Sequence, residues 1–156
     1  MLKTILEMDN VTLIHKNFSG EPNKFNREGD RNFGVIIDDP EQAQLLLEDG
    51  WNIKVKAPRE EGDLPLHYMS VKVKFNKDYP RLNPNVYVKT GTRMNRLDEE
   101  TIGQLDDIDM LNVQLDIRPY NYDVNGKTGV TAYVQSMCVT QKITDRFRKE
   151  YDDGRE

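Results

Sequence analysis

The chain has 156 residues, 37% hydrophobic and 31% charged, a balance that suits one soluble globular domain and excludes a disordered class. No apolar run approaches the ~18–20 residues that cross a bilayer, so no membrane partner is expected. The formal net charge is −5, and the single cysteine, Cys138, excludes an intramolecular disulfide and agrees with a reducing cytoplasm.

Residues 1–10 alternate apolar with charged side chains and lack the apolar stretch of a signal peptide. Residues 11–18 read as a strand that ends in a turn at Ser19-Gly20, and residues 32–38 as a second short strand. A helix follows: Asp39 suits its N-cap, Pro40 its first position and Gln42 a capping box, while Gly50 ends it. Ala43, Leu46 and Leu47 form its apolar face.

Residues 51–57 alternate with period two, placing Trp51, Ile53, Val55 and Ala57 in the core and Lys54 and Lys56 outside. In residues 68–75 the core set is Val71, Val73 and Phe75, opposite Tyr68, Ser70, Lys72 and Lys74. A further strand at 86–88 turns Tyr87 and Lys89 outward. A short acidic helix is expected from Asp98 to about Leu105, buried through Ile102 and Leu105. Leu111, Val113, Leu115 and Ile117 then alternate cleanly with polar residues. Asn125-Gly126 signals a hairpin, although Gly129 suggests a loop longer than two residues, and residues 130–139 form the return strand. The pattern predicts a mainly β chain: a small antiparallel OB-like barrel with one inserted α-helix and short additional helices over residues 1–143, then a charged tail over 144–156.

Catalytic chemistry finds little support. There is no glycine-rich phosphate loop, no paired metal-ligating histidines and no nucleophile motif, so no catalytic residue, metal ligand or cofactor is expected. His15 and His67 read as strand-edge surface residues, Cys138 as a small buried hydrophobe, and Trp51 as packing. The acids at 98–109 lack the glycine and spacing of a calcium loop and read as helix N-terminal charges.

Charge is segregated along the chain. Between His67 and Arg96 there are seven lysines and arginines against one acid, Asp78, whereas residues 97–109 hold six acids and no base. On strand parity, cations and tyrosines share the face turned from the core: Lys54, Lys56, Tyr68, Lys72, Lys74, Tyr87 and Lys89, with Arg93 beyond, then Arg118, Tyr120 and Tyr122. Cations that follow phosphates and aromatic rings on which bases stack are what single-strand binding needs.

Residues 112–139 read NVQLDIRPYNYDVNGKTGVTAYVQSMCV. An apolar strand ending Arg-Pro-Tyr-Asn-Tyr, a glycine-containing loop and a return strand with Met137 resemble the closing hairpin of phage-type single-stranded DNA-binding proteins. Asn17-Phe18-Ser19-Gly20, Arg31-Asn32-Phe33 and Gly50-Trp51-Asn52-Ile53-Lys54 resemble small phage members as well. The resemblance implies an OB-fold, single-stranded DNA as partner in phage replication or recombination, no catalysis, and a host-cytoplasmic location. Replication or recombination proteins are further expected partners, and homo-oligomerisation stays open. Residues 147–156 depart from the strongly acidic tail of such proteins, being mixed in charge. The rival reading is an OB-like phage module that binds a host or replication protein instead of DNA, which the net negative charge and the acids at 98–109 favour.

Overall fold

The computed structural model describes residues 5–24, 26–58 and 60–142, and the predicted tail lies outside them. Nine strands form one sheet: β1 (Leu6–Met8), β2 (Leu13–Asn17), β3 (Arg31–Ile37), β4 (Ile53–Lys56), β5 (Leu66–Val73), β6 (Asn85–Thr90), β7 (Arg93–Leu97), β8 (Met110–Val124) and β9 (Lys127–Gln141). Helix α1 (Pro40–Glu48) sits between β3 and β4, and short 3₁₀ helices occupy Pro80–Leu82 and Ile102–Asp106.

The main path runs β1-β8-β9-β5-β3-β2, with β4 added to β5 and the β6–β7 hairpin to β9. Pairing is antiparallel except where β5 and β6 lie parallel to β9. The pairing path is open: its ends, β1 and β2, do not pair with one another. They are consecutive in sequence, however, and the segment between them hydrogen-bonds to both sides. The Val11 N–H donates to the Val113 carbonyl of β8, and the Ile36 N–H of β3 donates to the Thr12 carbonyl.

The core lies on the face that the alternation marks. Phe33 and Val35 of β3 lie opposite Val71 and Met69 of β5, and Val113, Leu115 and Ile117 of β8 lie opposite Val139, Met137 and Val134 of β9, all buried. Phe18 stacks on Phe33 at 5.0 Å. Trp51 is buried as packing, with its indole N–H donating to Asp49 at 3.3 Å.

Several local expectations are corrected. Asp39 caps α1 by accepting from the Glu41 N–H, and Gly50 ends the helix at φ 99°, but the buried residues are Ala43 and Leu46. Leu47 is exposed, as is Val55, because β4 is an edge strand whose inner side is only partly covered. Leu111 is also exposed: a register shift between Met110 and Asn112 turns it out and packs Met110 against the core. The β8–β9 turn is two residues long, Asn125 and Gly126, both at positive φ, and Val124 pairs with Lys127. Gly129 therefore belongs to β9. Cys138 is half-buried on the outward side, since Met137 and Val139 take the core positions.

Candidate nucleic-acid interface

Residues that pair across neighbouring strands point to the same side of a sheet, so the registers can be read as rows. One row crosses five strands. Asn17 of β2 faces Asn32 of β3, Asn32 faces Lys72 of β5, Lys72 faces Tyr133 of β9, and Tyr133 faces Arg118 of β8. The row ends in contact, with the Arg118 guanidinium 5.7 Å from the centre of the Tyr133 ring. Tyr120, two residues on, stands edge-on to Tyr133 at 6.2 Å and is 60% exposed, which leaves a ring free to stack. Tyr122 lies over Gly129, where a side chain would collide with its ring.

Two grooves flank the row. The larger, about 920 Å³, is floored by Gly34, Tyr68 and Ser70 and edged by Lys54 and His15. The smaller, about 500 Å³, is lined by Lys72, Lys74, Tyr133, Arg31 and Phe75. Asn26 and Asn32 border both, so the two are adjacent. In the larger one Lys54 lies directly across from Tyr68, and the His15 ring meets Tyr68 edge to face at 5.5 Å. In the smaller one the Arg31 guanidinium lies 5.9 Å from the Phe75 ring centre, its Nη1 is 3.9 Å from Glu99 Oε1, and its buried Nε has no partner.

Acids line both grooves beside the cations: Glu21, Asp106 and Asp107 the larger, Asp30 and Glu99 the smaller. Asp106 accepts from the backbone N–H groups of Phe18 and Ser19 and from the Ser19 hydroxyl, pinning the loop that walls the larger groove. Asp98 accepts from the Thr101 hydroxyl and from the backbone N–H groups of Thr101 and Glu100. These bonds favour its charged form, the Thr101 hydroxyl first, and hold its carboxyl below the ordinary aspartate value. Among the described residues, no group of three or more His, Cys, Asp or Glu is arranged to hold a metal ion. Nor is any described helix long and apolar enough to cross a membrane.

Lys54, Tyr68, Lys72, Lys74, Arg118, Tyr120 and Tyr122 are thus brought along one face by strand parity, although Lys74 lies just past the end of β5. Tyr87, Lys89 and Arg93 sit apart, on β6 and the tip of β7. Tyr87 faces Cys138, farther along β9, and lines a shallow dent of about 260 Å³ with Asp9 and Asp116. Lys56 is exposed on β4 and lines none of these hollows. Residue-by-residue reading passed over His15, Arg31 and Tyr133. Tyr133 was within reach, because Ala132 and Val134 flank it as core positions.

The family model for the phage ssDNA-binding domain matches residues 2–154. The chain belongs to that family. No curated protein matches the sequence significantly. Among solved structures, the chain is similar to the single-stranded DNA-binding protein from bacteriophage Enc34 in complex with ssDNA. The two are 12% identical with a TM-score of 0.57, covering 90% of this chain and 88% of that one. A second structure of the Enc34 protein is 13% identical with a TM-score of 0.54, covering 90% and 82%. At these identities the likeness is one of fold, and it extends over nearly the whole phage ssDNA-binding domain.

Proposed function

We propose that this chain binds single-stranded DNA without sequence preference and without catalysis, acting in phage DNA replication or recombination in the host cytoplasm. Membership of the phage ssDNA-binding domain family supports the function. The observation that carries the site is the five-strand row of Asn17, Asn32, Lys72, Tyr133 and Arg118, of which the first four line the two grooves. Cations there neutralise phosphates, and Tyr68, Tyr120, Tyr122 and Tyr133 offer rings to bases, each worth about 1–3 kcal/mol. Lys54 and Lys56 extend the path at the β4 end. Tyr87, Lys89 and Arg93 are a second patch that a longer strand reaches.

The fold we propose is an OB-like barrel in which β1 and β2 act as two halves of one strand. The hydrogen bonds of Val11 to β8 and of β3 to Thr12 support this reading, because they tie that strand to β8 on one side and to β3 on the other. Residues 1–143 make up the binding domain and 144–156 a short charged tail.

The Lys72→Ala/Lys74→Ala double variant tests the site. Its affinity for oligo-dT should fall and its salt dependence flatten. The log–log slope should drop by about 1–1.5, because two phosphates of the single strand keep their counterions. An unchanged slope would remove these lysines from the path.

A further inference from the structure

Backbone and residue type conflict inside β2. His15 has φ 52°, the left-handed region where a Cβ crowds the backbone, yet it lies in the middle of a strand. It lies in a bulge, since the β2–β3 register shifts between Ile14 and Asn17 and sets His15 and Lys16 against one residue of β3. The bulge re-aims an exposed imidazole over the larger groove, edge to face with Tyr68 at an interplanar angle of 79°.

Tyr68 is held down by a second local feature. A Cβ at Gly34 would lie 3.2 Å from Tyr68 Cδ2 and 2.9 Å from Ile14 Cγ1, so a larger residue there would push on the phenol ring and on Ile14. Bulge and glycine together make a right-angled corner of two rings that opens into the groove, with Lys54 directly across from Tyr68. His15 adds nothing to the buried core. Strain of this kind persists where surrounding structure enforces it, and it clusters at ligand sites.

We infer that His15 and Tyr68 form a nucleobase-holding corner. An unpaired base stacks on one ring and meets the other edge-on, and the Lys54 ammonium neutralises an adjoining phosphate. This rests on the single-stranded DNA-binding reading and names the base as the ligand of this part of the groove. Its rival is a purely structural bulge that lets β2 leave the sheet. The two are told apart at one position. If the strain serves binding, glycine at residue 15 relieves it and costs affinity; if it serves the fold, glycine alters stability alone.

The test compares wild type, His15→Gly, His15→Asn and Tyr68→Ala by thermal melting and by titration with oligo-dT and an abasic oligomer of equal length. Asparagine tolerates the left-handed conformation, so His15→Asn keeps the bulge and removes the ring. His15→Gly should melt at or above wild type and bind oligo-dT on the order of ten-fold more weakly, as should His15→Asn and Tyr68→Ala. In all three the preference for oligo-dT over the abasic oligomer should shrink. Variants that keep wild-type affinity and preference would overturn the corner, as would a His15→Gly protein that melts lower with binding unchanged. Wild type that binds no oligo-dT at low salt would overturn the functional reading itself, a result separate from either.

Discussion

At Tyr133 a single ring touches both Arg118 and Tyr120 and lies opposite Lys72. Tyr133→Ala should therefore weaken oligo-dT binding by about ten-fold, and anisotropy titration reads the change directly. Asp98 contributes one pH-dependent increment of stability. Its carboxyl is held low by hydrogen bonds to its charged form, first from the Thr101 hydroxyl. Its contribution to stability is fully present above the unfolded aspartate pKa and is lost as pH falls through the lower folded value. Melting curves from neutral to acid pH should show Asp98→Asn losing part of the wild-type decline, and NMR titration of the Asp98 carboxyl should give a midpoint below that of an unstructured peptide. Much at this scale is legible in the sequence. Lys54, Tyr68 and Lys72 follow from alternation alone, and Trp51 reads as the packing residue that it is. His15 does not, because a bulge reverses the parity on which such reading depends.

Among the elements, the 3₁₀ helix at Ile102–Asp106 lends Gly103 and Asp106 to the wall of the larger groove. It buries Ile102 and Leu105 and uses Asp106 to hold the Phe18 and Ser19 N–H groups. Asp106→Ala would strip two backbone donors of their acceptor and should cost about 1–3 kcal/mol. Denaturant unfolding measures it, and no change would mean that the loop holds itself. Helix α1 and the β8–β9 hairpin are legible in outline, since cap, stop and Asn-Gly turn are local chemistry. The edge strand β4 and the register shift at Met110 are not, because Val55 and Leu111 look like core residues until their neighbours are known. Strand β1 is only three residues long and β7 buries only Leu97, so neither announces itself.

For the molecule as a whole, a net charge of −5 coexists with a face of cations and tyrosines; of the acids that share its grooves, Asp106 is tied to the Phe18–Ser19 loop and Glu99 lies 3.9 Å from Arg31. The row from Asn17 to Arg118 joins residues about 100 positions apart and depends on the order β2-β3-β5-β9-β8, which no local pattern encodes. Resemblance in the closing hairpin points to the family without any of this geometry. If Tyr87, Lys89 and Arg93 form a second patch, Lys89→Ala/Arg93→Ala should weaken long oligomers more than short ones. Equal loss for both lengths would place those residues on the primary path.

The most direct test is fluorescence anisotropy with a labelled oligo-dT of about thirty nucleotides, titrated at low and high salt beside a duplex of the same length. Tight binding to the single strand that weakens as salt rises, with little binding to the duplex, is the predicted result. No single-strand binding at low salt, or equal binding to the duplex, would contradict it.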